Sequence, residues 1–150
     1  MIFSRKSDYG LRALIYLAER RTRGPVTLNE VAEKLLIPKA FLSKILQQLA
    51  RKGVVRSLKG PSGGFVLAVD PSELTLHEVL VEIDGPTRVF ECFATESDCT
   101  LYADCMMRDV FGEVEDQVGK LLSRYTLADL QQRNRSTIAG PVPAAAAKTT

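Results

Sequence analysis

Two consecutive short helices are predicted by the stretch Thr27-Leu-Asn-Glu-Val-Ala-Glu-Lys-Leu-Leu-Ile-Pro-Lys-Ala-Phe-Leu-Ser-Lys-Ile-Leu-Gln-Gln-Leu49. It begins with a capping box, in which the Thr27 hydroxyl and the Glu30 carboxylate each satisfy a backbone N–H of the first turn. Apolar residues then recur at helical spacing. Pro38 suits the first turn of a new helix, where its missing N–H costs nothing. Two such helices joined by two or three residues form a helix-turn-helix.

The flanking segments complete a winged helix-turn-helix. Residues 7–19 carry apolar side chains at helical period, which predicts a first amphipathic helix. After Gly53, two β-rich runs (54–58 and 65–69) surround a turn rich in Gly and Pro, which predicts a β-hairpin.

The second half of the chain predicts more helices around a loop that contains every cysteine. Thr75-Leu-His-Glu78 is a second capping box, and its helix continues through Ile83. A long helix is expected from about Tyr102 to Arg124, where apolar residues recur at helical spacing, and a further turn or two starts at Thr126. The predicted fold class is mainly α with a small β-hairpin.

The charge of the chain is unevenly distributed. The net charge of +2 is the sum of a basic and an acidic part. Residues 1–70 contain 13 Lys/Arg and 5 Asp/Glu, whereas residues 71–150 contain 7 Lys/Arg and 13 Asp/Glu. A basic lobe is the electrostatic footprint of a surface that binds the phosphate backbone of double-stranded DNA.

Eight polar or small residues are candidates for DNA contact. On the third helix, five side chains fall between the apolar positions and are expected to face away from the core: Lys39, Ser43, Lys44, Gln47 and Gln48. Gln and Lys can read base edges, and Ser can bond a base or a phosphate. At the hairpin tip, the candidates for phosphate contact are Lys59, Ser62 and Gly63. The alternatives are an ordinary solvated helix face and a plain hairpin turn.

The long helix is a candidate dimer interface. At 1.5 Å per residue, about 23 residues extend about 35 Å, which is longer than a winged domain needs. A two-fold dimer would also separate two recognition helices by about one DNA turn, roughly 34 Å, and would match a palindromic operator. We therefore expect a homodimer.

Cys92, Cys99 and Cys105 are the only cysteines and are spaced C-x6-C-x5-C. Their odd number leaves at least one thiol outside any disulfide within the chain. The sequence has no signal-peptide core and no run of about 18 apolar residues, which predicts a cytoplasmic protein with no membrane contact. In that compartment, clustered cysteines are metal ligands or redox sensors more often than structural disulfides.

An enzyme is not expected. His77 is the sole histidine, and its place in a capping box predicts solvent exposure. No Cys-His or Ser-His-Asp spacing, glycine-rich nucleotide loop or paired-carboxylate signature accompanies it.

Three stretches, together with the spaced cysteines, resemble the IscR and NsrR family of winged-helix iron–sulfur regulators. They are Ser7-Asp-Tyr-Gly-Leu-Arg-Ala-Leu14, Pro38-Lys-Ala-Phe-Leu-Ser-Lys-Ile-Leu-Gln-Gln-Leu49 and Gly60-Pro-Ser-Gly-Gly-Phe-Val-Leu67. The resemblance covers about residues 1–133. It implies a homodimeric bacterial transcription factor whose cluster, held by the three cysteines, controls DNA affinity.

The fourth ligand separates two branches of this family. The IscR-like branch, which binds a 2Fe–2S cluster, places a histidine three residues after the third cysteine, and this chain has Arg108 there. The NsrR-like branch uses an acidic residue of the first helix from the other subunit, and Asp8 is the matching position. The resemblance therefore favours a 4Fe–4S cluster on Cys92, Cys99, Cys105 and Asp8. On position alone, Asp8 is a helix N-terminal acid that interacts with the macrodipole.

The predicted function is a DNA-binding transcriptional regulator, a repressor, that senses nitric oxide, iron or redox state. Two alternatives remain open. One is a 2Fe–2S regulator of cluster biogenesis or iron homeostasis, and the other is a cluster-free regulator that senses oxidation through its thiols or holds zinc.

We divide the chain into four parts. They are the winged helix-turn-helix DNA-binding domain (1–84), the cysteine-containing loop (85–101), the dimerisation helix with the C-terminal helix (102–133) and a disordered tail (134–150).

Overall fold

The computed structural model describes residues 3–90 and 105–138, with side chains described as far as residue 133. Within these ranges the chain forms α1 (Arg5–Glu19), α2 (Leu28–Leu35), α3 (Lys39–Arg51), β1 (Val55–Leu58), β2 (Gly64–Leu67), α4 (Leu76–Asp84), α5 (Met106–Leu122) and α6 (Leu127–Ile138). The predicted mainly α fold with a β-hairpin is confirmed. None of the helices in the described part is long and apolar enough to cross a membrane.

The winged helix is built around one apolar core. The inward faces of α1, α2, α3 and the hairpin meet there, and their largest buried apolar side chains are Leu14, Leu17, Val31, Leu42, Ile45, Leu46, Leu49 and Val55. The strands β1 and β2 are antiparallel, with Val55 opposite Leu67 and Leu58 opposite Gly64. Glycine is required at position 64, where φ is 152° and a Cβ atom would lie 2.5 Å from the Val26 carbonyl oxygen.

The two predicted capping boxes have different outcomes. At α4 the box is complete, because Thr75 accepts from the Glu78 N–H and the Glu78 carboxylate accepts from the Thr75 N–H. At α2 only half of it forms. Thr27 accepts from the Glu30 N–H, but the Glu30 carboxylate turns to α1 and accepts from the Tyr16 hydroxyl at 2.8 Å. Glu30 therefore ties α2 to α1.

The C-terminal helices differ in length from the prediction. Cys105 is extended and caps α5, so the helix begins at Met106 and ends at Leu122, and Tyr102–Asp104 lie outside the described residues. Its 17 residues extend about 26 Å. The helix α6 is longer than the predicted turn or two, because residues 134–138, which we had assigned to the tail, continue it. It packs against α1, and its Leu127 is fully buried in the winged-helix core.

The carboxyl end of α4 is bonded to the start of α1. Asp84 accepts from the Ser4 backbone N–H at 3.0 Å, from the Ser4 hydroxyl at 2.6 Å and from the Ser7 hydroxyl at 2.6 Å. Burial raises the pKa of Asp84, but these hydrogen bonds outweigh burial and lower the pKa below its ordinary value. Ser7 is 1% exposed, so its hydroxyl depends on this bond.

Leu36 is a strained residue in the turn between α2 and α3. It caps α2 with φ 54° and ψ 38°, a left-handed conformation, and its side chain is 89% exposed. A left-handed conformation costs a residue with a Cβ atom about 1–2 kcal/mol.

We expect Leu36→Gly to raise the free energy of unfolding by about 1 kcal/mol, because glycine removes the strain but loses some chain entropy on folding. Urea denaturation measures the change. Leu36→Ala keeps the Cβ atom and should bring no gain; an equal gain in both variants would contradict the strain.

Ser7→Ala should destabilise the fold in a pH-dependent manner. A hydrogen bond to a charged group contributes about 1.5–3 kcal/mol, and solvent around the exposed Asp84 reduces this to about 1 kcal/mol. Because folding lowers the pKa of Asp84, the contribution is complete above the ordinary aspartate pKa and disappears as the pH falls through the lowered value. Urea denaturation at a series of pH values measures the difference from the unsubstituted chain. In an Asp84→Asn background the same substitution should cost the same at every pH.

Candidate DNA-binding face and metal-ligand positions

The outer face of α3 carries most of the polar residues expected there. Lys39, Lys44 and Gln47 are exposed and Ser43 is half-buried, whereas the opposite face of the helix is buried in the core. The Gln47 side chain donates to the Ser43 hydroxyl at 3.2 Å, so these two side chains are held together on the surface. This face has donors and acceptors that could reach base edges.

Gln48 does not face away from the protein, and the expectation for its side chain is wrong. It is half-buried, and its amide nitrogen donates to the carbonyl oxygens of Glu82 at 2.6 Å and Ile83 at 3.2 Å. The last carbonyls of a helix have no partner within that helix. Gln48 therefore attaches α3 to the carboxyl end of α4.

Phe41 is a surface residue, although it occupies an apolar position of the third helix. It is 43% exposed, and its ring meets the edge of Tyr9 with centroids 5.7 Å apart. Its spacing of four residues from Ile45 made it look like a core position, because helical spacing does not show where the core ends. The groove beside it has a volume of about 440 Å³ and is lined by Lys6, Phe41, Lys44, Ile45, Gln47, Gln48 and Arg51.

The basic residues of α3 and the hairpin keep their charge available. Within the described part of the chain, no ion pair involves the exposed side chains of Lys39, Lys44, Arg51, Arg56 and Lys59. Arg51 and Arg56 were not among our candidates, although both belong to the basic half. Unneutralised cations on one helix and one hairpin suit a polyanion.

At the hairpin tip, Lys59 and Ser62 are exposed, whereas Gly63 has a role within the turn. Its N–H donates to the Gly60 carbonyl oxygen at 3.0 Å, and a Cβ atom at position 63 would overlap the Leu58 carbonyl oxygen. Glycine is therefore needed at position 63 for the turn itself.

Cys105 is the one cysteine among the described residues, since Cys92 and Cys99 lie outside them. It is half-buried, forms no disulfide and occupies the N-cap of α5 without a side-chain capping bond. A helix N-terminus favours negative charge. The free sulfur atom is available as a metal ligand. Arg108 lies three residues later on the exposed first turn of the same helix.

Asp8 lies on the exposed side of α1 and is paired with Arg12. Its carboxylate accepts from the Arg12 guanidinium at 2.8 Å across one turn of the helix. The groove beside it has a volume of about 350 Å³ and is lined by described residues of α1, α2 and α6, without Cys105. Within the described residues of one chain, no three potential metal ligands lie together.

His77 is not solvent-exposed as its position predicted. It is half-buried against α5, where a Cβ atom on Gly119 would lie 3.3 Å from its Cε1 atom. Within the described part of the chain its Nδ1 atom is buried without a hydrogen-bond partner. The capping box placed the backbone correctly but could not show that α5 covers the side chain.

The outer face of α5 is apolar and uncovered. None of its residues is buried, although the helix packs against α4. The large apolar side chains that remain exposed are Met106, Met107, Val110, Val114 and Leu121, and Met106 is 89% exposed. An apolar patch of this kind marks an interaction surface.

Comparisons with known proteins agree with this geometry. The family model described as "Rrf2: Iron-dependent Transcriptional regulator" matches residues 3–133. The transcriptional regulator NsrR of Bacillus subtilis is 32% identical over 125 residues, which cover 83% of this chain and 86% of that protein. The regulator IscR of Serratia proteamaculans is 27% identical over 130 residues, covering 87% of this chain and 79% of that protein.

A solved structure with a similar fold is that of CymR, the global cysteine regulator of Bacillus subtilis. It superposes with a TM-score of 0.70 at 27% identity, covering 89% of this chain and 98% of that chain. The family model spans both the helix-turn-helix and the helices that follow the cysteines. The chain therefore belongs to the Rrf2 family, whose members are DNA-binding transcriptional regulators and not enzymes.

Proposed function

We propose that the chain is a homodimeric, cytoplasmic repressor that binds a palindromic operator and whose DNA affinity depends on an iron–sulfur cluster. The observation that carries this proposal is the free thiol of Cys105 at the N-cap of α5, on a helix that also has an uncovered apolar face. The family description, an iron-dependent regulator, favours iron as the metal. Nitric oxide, iron supply and redox state are the candidate signals.

The proposed ligands are Cys92, Cys99, Cys105 and Asp8 of a second copy of the chain, and the favoured cluster is 4Fe–4S. Thiolates suit iron–sulfur clusters, and a bound cluster would supply a redox-active group that is open to attack at the oxygen-ligated iron. The bond between Asp8 and Arg12 does not prevent ligation, since an exposed pair one helical turn apart contributes only about 0.3–0.5 kcal/mol. Arg108 cannot replace the missing histidine, because a guanidinium has no free lone pair to donate.

A second copy is the proposed occupant of the apolar face of α5. The exposed side chains Met106, Val110, Val114 and Leu121 recur along one side of the helix, which suits packing against the same face of another α5. Pairing would also bring Asp8 of one chain within reach of the cysteines of another chain, as the proposed ligand set requires.

The proposed DNA contacts come from α3 and the hairpin. Lys39, Ser43, Lys44 and Gln47 would enter the major groove, and Lys59 and Ser62 would meet the backbone, with Gly63 shaping the turn. Gln48 would act indirectly by attaching α3 to α4.

A second candidate is a cluster-free thiol sensor or zinc-binding regulator. It is favoured by the likeness to CymR, the global cysteine regulator of Bacillus subtilis, and by the free thiol of Cys105. A 2Fe–2S cluster on the same cysteines is the remaining alternative. Native mass spectrometry of anaerobic protein separates them, because each predicts a different mass of bound metal and sulfide.

Lys44→Ala should weaken operator binding and leave the metal site unchanged. Loss of a base or phosphate contact costs about 1–3 kcal/mol, or about 5- to 150-fold in Kd. Electrophoretic mobility shifts at several salt concentrations measure the affinity. Lys120→Ala removes an exposed lysine of α5, far along the chain from the helix-turn-helix, and should bind the operator as the unsubstituted chain does. Equal losses in both variants would indicate a general charge effect.

Cys99→Ala should abolish the visible absorption of anaerobically purified protein. Asp8→Ala should still bind iron, but a chelator should remove that iron faster than it does from the unsubstituted chain. The difference follows because a thiolate holds iron strongly and a single carboxylate holds it weakly. Absorbance and iron content after exposure to a chelator give the rates. Glu33→Ala, an exposed acid of α2, is the control and should match the unsubstituted chain. Protein without iron and sulfide would contradict the cluster.

A further inference from the structure

One side of α3 combines an exposed aromatic ring with basic residues. Phe41 belongs to the first turn of α3, in which Lys39 and Ala40 are exposed as well, and it is 43% exposed. Ile45 lies one turn further along the same side of the helix and is buried in the core. The ring of Phe41 therefore lies where the core meets the outer face of α3.

The ring of Phe41 is held in place by α1. The Tyr9 ring meets it edge-to-face, with centroids 5.7 Å apart and planes at 88°, and Tyr9 is itself half-buried against the core. Aromatic pairs prefer this arrangement because the positive edge of one ring meets the negative face of the other. Binding to a partner would therefore restrict little further motion of the Phe41 ring, and such preorganisation favours affinity.

The surface around the ring is positively charged. The groove beside Phe41 is bordered by the side chains of Lys6, Lys44 and Arg51. Lys44 lies three residues after Phe41, so these two side chains are neighbours on the helix surface. The Lys6 ammonium donates to the uncharged Ile83 carbonyl oxygen at 2.8 Å, a bond that leaves its positive charge in place. The charges around the ring therefore favour an anionic partner, as the phosphate backbone of DNA is.

A phenyl ring among cations suits one particular group of DNA. The ring has no polar atom, so it cannot form a conventional hydrogen bond with a phosphate oxygen or with the donors and acceptors of a base edge. In the major groove, the apolar group that a base presents is the methyl group of thymine, which Phe side chains contact in protein–DNA complexes. The N-terminal residues of a recognition helix reach the base edges, and Phe41 is the third residue of α3.

We propose that Phe41 is a specificity-determining residue, whose ring packs against the methyl group of one thymine in each half of the operator. This role rests on the proposed function, in which α3 enters the major groove. Contacts of Lys6 and Arg51 with phosphates would hold DNA of any sequence, because phosphates carry no sequence information. Phe41 would add a preference for thymine over the three bases that lack this methyl group.

The test removes the methyl group and leaves base pairing unchanged. The full chain, both anaerobically purified and metal-free, selects an operator duplex from a pool of random DNA. Each symmetry-related pair of thymines in that duplex is then replaced by deoxyuridine, which pairs as thymine does but lacks the methyl group. Burial of one methyl group changes a binding constant about fourfold, so replacing the contacted pair should raise the Kd about 10- to 20-fold. Fluorescence anisotropy of labelled duplexes measures the Kd.

Phe41→Ala should remove the dependence on this methyl group. Its Kd for the thymine duplex should rise at least about tenfold, and deoxyuridine at the contacted pair should then change the Kd about twofold or less, because the two partners are coupled. Leu36→Ala alters another exposed apolar residue and is the control, which should keep the full difference between thymine and deoxyuridine. Should Phe41→Ala not fold, Phe41→Gln, which keeps a long side chain beside Tyr9, is measured in the same way.

The outcomes separate this inference from the proposed function. If the chain selects no preferred sequence from the pool, the proposed function and the role of Phe41 both fail. If it selects an operator in which no thymine pair is sensitive to deoxyuridine, the role of Phe41 fails and operator binding stands. A weaker Phe41→Ala complex that keeps the full effect of deoxyuridine would mean that Phe41 only supports the fold of α3, and it would also overturn the inference.

Discussion

The arrangement of the DNA-binding half depends on how the carboxyl end of α4 is bonded. The last carbonyls of any helix lack partners within the helix, and here Lys6 of α1 and Gln48 of α3 donate to them. In return, Asp84 accepts from Ser4 and Ser7 at the start of α1. The hydrogen bonds that complete the carboxyl end of α4 come from α1 and α3, and those that Asp84 accepts come from the start of α1, so the three helices have one favoured arrangement. The outer face of α3 is oriented as a result.

Helix α4 connects the candidate DNA-binding face of α3 to α5, which Cys105 caps, by a short route. Lys52, which caps α3, forms an ion pair with Glu82 of α4 at 3.0 Å, and six residues after Glu82 the chain reaches Arg88, whose guanidinium donates to Glu115 of α5. A displacement of α4 would therefore break bonds on both α3 and α5. If the cysteines bind a cluster as proposed, this route is a physical reason for an effect on the affinity for DNA.

The exposed basic face of α3 and the hairpin and the exposed apolar face of α5 are the surfaces that the proposed function requires. Unneutralised cations lie on α3 and the hairpin, whereas the acidic second half carries an apolar face on α5. An isolated chain would expose that apolar face to water at a cost in free energy, which a second copy would remove. The charge asymmetry would place polyanion binding and the proposed self-association on different parts of the molecule.

The sequence by itself determined the elements and the chemical types of the candidate site. Helical spacing, the Thr75 cap and the Gly/Pro turn depend on neighbours within a few residues, so the local sequence was enough to predict them. The resemblance of three stretches and the spaced cysteines indicated the family. Only the tertiary structure decided that Glu30 bonds to Tyr16, that Gln48 turns to α4, that α5 covers His77 and that Glu115 bonds to Arg88 and Val89. Those side chains have partners 14 to 42 residues away, and local spacing cannot indicate which distant group will satisfy a donor or an acceptor.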